Sequence, residues 1–247
     1  MTEEKQHHIH LKKGDVGRYV LLPGDPGRCE VIARHFEGAV HVATNREYVT
    51  YTGYLDGVKV SVTSTGIGCP SASIAVEELV RVGADTFIRV GTAGAVQPGT
   101  KSGKLAIVTA AIRDEGTSIH YLPVAFPAVA DLEVVDALRT AAGKTGVQYE
   151  CGISQSKDSF YGEVEPERSG VTSRLLDRWE AWQIGGAICS EMEASAIFIV
   201  SSMLRVRAGG VMVVHGEGDI DSLEPLIQTA VQALRELIKA DQRTGRQ

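Results

Sequence analysis

Near-continuous apolar runs recur along the chain at Tyr19–Leu22, Val58–Ser64, Thr86–Val90, Lys104–Ala110 and Gly210–Val214. Runs without regular polar alternation are the pattern of strands covered on both faces. Between them the apolar positions recur at helical spacing. The segment Ser71–Val82 places Ile74, Ala75, Leu79 and Val82 on one face behind a serine near its start. Asp131–Lys144, Glu191–Arg205 and Glu224–Ala240 read as further helices. Strands alternating with helices predict an α/β layered architecture. No linker-like stretch, repeat or low-complexity tract divides the sequence, so residues 1–247 are expected to form one domain.

Composition narrows the function classes. The chain has 247 residues, 43% hydrophobic and 23% charged, as expected of an ordinary globular protein. A net charge of −6 argues against a nucleic-acid binder that works by general phosphate attraction. It leaves room for a local cationic pocket. Cys29, Cys69, Cys151 and Cys189 are scattered without a C-x-x-C pair and are expected to be buried reduced thiols. The N-terminus is too charged for a signal peptide. The most apolar stretch, Ala194–Val206, is too short and too punctuated to span a membrane. A cytoplasmic protein without membrane partners is the expectation.

Two familiar phosphate loops, G-x-x-x-x-G-K-[ST] and G-x-G-x-x-G, are absent. Strand ends carry another pattern. Gly24 and Arg28 follow the first apolar run, and Arg89, Gly91, Thr92 and Gly94 follow the third. Glycine-flanked turns at strand carboxyl ends let backbone N–H groups approach an oxyanion, and arginine adds a planar fork. Arg89 interrupts an apolar strand, which is costly unless it is paired or lines a pocket. Taken singly, Arg28 reads as a surface residue, and Arg46 with Glu47 as a solvated pair on an exposed strand. Glu191 and Glu193 at a helix start are explained by the helix dipole alone. The histidines at positions 7, 8 and 10 lack a metal partner at a known spacing and read as a frayed terminus.

The blocks HIHLKKGD, LPGDPGR, NREYVTYTG, STGIGCPSASIAVEEL, FIRVGTAGAVQP, FPAVAD, KDSFYG, EPER and EMEAS occur in that order over nearly the whole chain. In this the chain resembles the nucleoside phosphorylases of the uridine phosphorylase type, the hexameric branch that includes some purine nucleoside phosphorylases. The resemblance implies a three-layer α/β/α sandwich around a central mixed, partly barrel-like sheet. It implies phosphorolysis of a nucleoside, with uridine the leading substrate, to free base and ribose 1-phosphate. Inorganic phosphate is the co-substrate and no cofactor is required.

By this resemblance Gly24, Arg28, Arg89 and Thr92 bind phosphate, and Arg46 reaches the phosphate of a neighbouring subunit. His8, Met192 and Glu193 contact ribose, His8 across the subunit boundary. Phe160, Glu163 and Arg168 build the base pocket. Arg89, Arg168 and Glu193 carry the chemistry. Glu47, Ile67 and Ser71 match positions where some relatives hold potassium between subunits. A homo-oligomer with shared sites follows, a hexamer being the family form.

Two departures bear on the base. Glu163 stands where pyrimidine-specific relatives usually carry glutamine, and a carboxylate cannot donate to a carbonyl. The segment from His215 to Pro225 is short and acidic, where relatives have a longer closing segment. A purine nucleoside phosphorylase, a hydrolytic nucleosidase and a catalytically idle nucleoside-binding paralogue are the competing readings.

Overall fold

A computed structural model describes residues 4–246. β1 (Tyr19–Pro23) is buried at every position because it lies between two parallel neighbours, β4 (Val58–Thr63) and β5 (Thr86–Ala95). The hairpin of β2 (Glu37–Asn45) and β3 (Tyr48–Leu55) extends the sheet through an antiparallel β3–β4 pairing. On its other side β5 pairs in parallel with β10 (Arg207–His215), which runs antiparallel to β6 (Leu105–Asp114). β6 pairs with β8 (Tyr149–Lys157), β8 with β9 (Cys189–Glu191), and β9 returns to β5 at Gly94 and Ala95. The mixed sheet therefore closes five of its strands into a barrel and leaves β1, β4, β3 and β2 as an open wing. β7 (Ala128–Val129) is a two-residue strand on β6.

Helices cover this sheet in pairs. α2 (Cys69–Arg81) packs on α6 (Ala194–Leu204), and α3 (Leu132–Thr145) packs on α7 (Glu224–Thr244). Side chains of successive strand residues point to opposite faces, and β10 shows which helix covers which. A Cβ at Gly209 would lie 2.4 Å from Val134 of α3, whereas one at Gly210 would face Arg89. α3 thus covers the face away from Arg89. α3 begins where Asp131 accepts the Glu133 and Val134 N–H groups and ends at Gly146, in the left-handed region at φ 71°. α1 (Gly27–Ala33) follows β1 directly. The short α4 (Phe160–Val164) and the 13-residue α5 (Thr172–Ile184) bury none of their residues. Among the described residues, no helix is long and apolar enough to cross a membrane.

Four local expectations change. β5 does not stop at Val90 but runs through the Gly91-Thr92-Ala93-Gly94 segment, because β10 pairs with it as far as Gly94↔His215. The glycine there serves packing: a Cβ at Gly91 would lie 2.6 Å from the Met212 sulfur. The segment beginning at Glu191 is strand first, with α6 starting only at Ala194. The N-terminal segment is anchored, since Ile9 and Leu11 are fully buried and the His8 and Ile9 N–H groups donate to Glu78. Three cysteines are buried free thiols, but Cys151 is exposed.

Candidate active site

The carboxyl ends of β1 and β5 meet at one wall of a cavity of about 940 Å³. Arg28 projects from the first turn of α1 and donates from Nη1 to the Val90 carbonyl at 3.2 Å. Arg89, on β5, donates from Nη1 to the Leu22 carbonyl and from Nη2 to Glu193 Oε2 at 2.6 Å. The Nε groups of both arginines are buried without a hydrogen-bond partner. Burial, and then the neighbouring Arg89 charge, lower the Arg28 guanidinium below its usual range. Buried Arg89 and half-buried Arg28 thus bring two adjacent cations to one wall of the cavity, an arrangement suited to an anion. Gly24 packs against this pair, since a Cβ there would approach Arg89 Nη1 to 3.2 Å and the Gly66 carbonyl to 3.3 Å. Thr92 lines the same cavity.

The acidic pair at the end of β9, Glu191 on the strand and Glu193 just past it, divides its work. Glu191 is the cap: its Oε2 accepts from the N–H groups of Glu193 and Ala194 at 2.8 and 2.7 Å. Full burial and the nearby Glu193 charge raise the Glu191 carboxyl. Glu193 lines the cavity, accepting the Gly68 N–H at 2.7 Å on Oε1 and Arg89 on Oε2. Gly68 sits at φ 96°, a conformation that presents this N–H just ahead of α2. Met192 lines the cavity beside Glu193.

At the far end β8 delivers Lys157, whose ammonium donates to Ser190 Oγ at 2.6 Å and stands 2.8 Å from Glu163 Oε2. Phe160, Val164 and His215 complete that end. Lys157 opens the KDSFYG block, but the sequence assigns it no role. Its one signal is its place at the carboxyl end of a strand, and β8 carries too many polar residues to show as an apolar run.

Gly24, Arg28, Arg89, Thr92, Met192, Glu193, Phe160 and Glu163 thus converge on one cavity, with Glu47 and Ile67 at its wall. His8, Arg46, Ser71 and Arg168 do not line it. His8 is held by Glu78, 2.7 Å from Nδ1. Arg46 occupies the turn between β2 and β3 at φ 53°. Ser71 donates to Glu47 Oε1 at 2.7 Å, which holds that carboxyl below its usual range. Arg168, 69% exposed, pairs with Glu165.

The chain as a whole is similar to known proteins. The profile of the Phosphorylase superfamily matches residues 18–241. A uridine phosphorylase of Treponema pallidum is 47% identical over 246 residues, covering 96% of this chain and 95% of its own. One from Thermococcus kodakarensis is 49% identical over 219 residues, 86% of this chain and 78% of its own. The Escherichia coli uridine phosphorylase is 38% identical over 251 residues, 98% and 99% of the two chains.

Proposed function

The chain belongs to the phosphorylase superfamily, and on that premise we propose that it cleaves uridine with inorganic phosphate to uracil and ribose 1-phosphate. The observation that carries this reading is the pair of guanidinium side chains, Arg28 and Arg89, lining one cavity that also holds Glu193. A hydrolytic enzyme has no use for an anion site there.

Phosphate dianion bridges Arg28 and Arg89, with the Gly24 backbone beside it and the Thr92 hydroxyl as a further donor. Glu193 accepts hydrogen bonds from the ribose 2′ and 3′ hydroxyls, and Met192 packs on the sugar. The glycosidic C–N bond breaks with its electron pair leaving on the base, and the sugar becomes oxocarbenium-like. Held phosphate stabilises that positive charge and then bonds to C1 through one oxygen. The base takes its proton from solvent. Positioning and preorganised charge supply the rate enhancement, and no protein nucleophile is needed. Phe160 stacks on the base, and Glu163 contacts its edge. Arg168 reaches the base only if the segment around residues 160–168 moves inward.

His8 and Arg46 act in a neighbouring subunit's site, which makes the working unit at least a dimer and the assembly a hexamer. The oxygens of Glu47 and Ser71 suit a hard monovalent cation at that boundary; potassium there would tie two Glu47–Ser71 corners together and supplies no chemistry to the reaction.

The test is uracil release from uridine with and without phosphate. Phosphate-dependent release with ribose 1-phosphate as co-product is expected. Equal release without phosphate would overturn phosphorolysis, and faster cleavage of inosine would favour the purine enzyme.

A further inference from the structure

Lys157 and Glu163 form an ion pair that is 9% and 15% exposed, and nothing in the phosphate or ribose chemistry employs the lysine. A buried ion pair is seldom retained for stability, because well-packed apolar residues usually serve as well. This one lines the cavity, and it is not internally saturated. Glu163 turns Oε2 toward Lys157 and Ser190, while its Oε1 makes no hydrogen bond among the described residues. The Lys157 ammonium meets Ser190 Oγ and Glu163, leaving a further N–H. Ser190 Oγ is fixed in turn by Gln155 Oε1 at 2.6 Å, so the lysine is held from behind.

The pair lies at the end of the cavity remote from the anion site. Glu163 Oε1 would be 3.5 Å from a Cβ at Gly94, five residues beyond Arg89 on the same strand. The Arg89 guanidinium itself lies beside Gly91, 3.2 Å from where a Cβ there would be, so three residues of strand, on the order of 10 Å, separate it from the pair, room for a pentose and a heterocycle between them.

We propose that Lys157 and Glu163 together select bases whose edge carries an N–H next to a C=O. Glu163 Oε1 accepts from the ring N–H and the Lys157 ammonium donates to the adjacent carbonyl oxygen. Uracil presents this edge, and so do 6-oxopurines. Cytosine and adenine present the inverse, a ring nitrogen lone pair facing a carboxylate and an amino group facing an ammonium. Lys157 also offsets the Glu163 charge, so that the carboxylate does not oppose the negative charge gathering on a departing base. The ammonium stands next to the oxygen where that charge accumulates. The assignment deepens the uridine reading and rests on it for the position of the base.

The experiment compares uracil and cytosine binding by calorimetry, with saturating phosphate, in the parent, Lys157→Met and Lys157→Gln proteins. Circular dichroism and melting temperature confirm folding, and Lys157→Gln retains a donor should the methionine variant not fold. The parent is expected to prefer uracil at least about 100-fold, and each variant to lose about 10- to 100-fold in uracil affinity, the range for a charged hydrogen bond. Cytosine affinity should hold or improve, and the KM for phosphate should stay within about twofold of the parent's. Unchanged uracil affinity in folded variants, or an equal loss for both bases, would overturn the proposal. Calorimetry needs no turnover. A failure of phosphate-dependent uridine cleavage in the parent, with Lys157-dependent uracil preference intact, would therefore sink phosphorolysis alone.

Discussion

Arg89 Nη2 and Glu193 Oε2 are 2.6 Å apart, with the side chains 6% and 4% exposed, so the phosphate and ribose ligands of the proposed site are one buried ion pair. Removing either partner leaves a buried charge uncompensated.

Arg89→Ala should therefore lower kcat/KM for phosphorolysis by about two orders of magnitude or more and destabilise the fold by about 3–5 kcal/mol. The double variant Arg89→Ala/Glu193→Ala should be more stable than Arg89→Ala alone, since the stranded carboxylate is gone. Urea unfolding of the parent, Arg89→Ala, Glu193→Ala and the double variant decides it. Additive losses would show that the two charges do not support one another.

Gly24→Ala adds a methyl 3.2 Å from the Arg89 guanidinium and 3.3 Å from the Gly66 carbonyl. Crowding of this kind costs about 1–3 kcal/mol. The expected outcome is a rise of about tenfold in the KM for phosphate, 1.4 kcal/mol being tenfold, with the KM for nucleoside changing less. Initial-rate kinetics varying each substrate separate the two, and equal effects would remove Gly24 from the anion site.

Acid stability should depend on Asp241. Its Oδ2 accepts from Tyr19 at 2.6 Å, and both oxygens take bonds from Arg207. Burial alone would raise this carboxyl, but the Arg207 and Tyr19 hydrogen bonds outweigh it and leave it below the ordinary value of 3.8. A depressed folded-state pKa means the stabilisation is complete above the unfolded value and disappears as pH falls through the folded one. Asp241→Asn should melt several degrees lower near neutrality, with the gap narrowing below about pH 4. A gap that is constant with pH would deny the carboxylate this role.

Glu78 accepts both N–H groups that pin the N-terminal segment. Burial would raise it, and the bonds from His8 and Ile9 hold it below the usual carboxylate range instead. Glu78→Ala should release the segment, so that trypsin cleaves at Lys12 or Lys13 at least several times faster. If His8 serves a neighbouring site, the KM for nucleoside should rise together with that cleavage. Unchanged proteolysis would place the anchoring elsewhere, in the buried Ile9 and Leu11.

The apolar runs located β1, β4, β6, β10 and the first half of β5 because strands covered on both faces must be apolar. The same rule hid β8, whose residues through Ile153 are largely exposed and whose later positions are polar. With β8 went its last residue, Lys157. The two glutamates of the EMEAS block show a different limit. Both are buried and both line the cavity, and only their hydrogen bonds separate Glu191, which accepts the N–H groups at the start of α6, from Glu193, which pairs with Arg89. Arg89 was legible as a charge needing a reason, either pocket or ion pair. The structure gives it both. The resemblance supplied roles for His8 and Arg46 that a single chain leaves outside the cavity.

Closure of β5, β10, β6, β8 and β9 into a ring makes register a property of all five strands together. A one-residue insertion in β5 would have to be matched at once against β1, β9 and β10, and it would turn Arg89 away from the cavity. The Arg89 side of the proposed anion site is thereby shielded from insertions and deletions. The segments after β8 and β10, which carry Phe160, Glu163 and the rest of the proposed base end apart from Lys157 and His215 on β8 and β10 themselves, connect elements without belonging to the ring. Lineages can lengthen, shorten or recharge them at little cost to folding, so new base preferences have room to evolve around an unchanging phosphate seat.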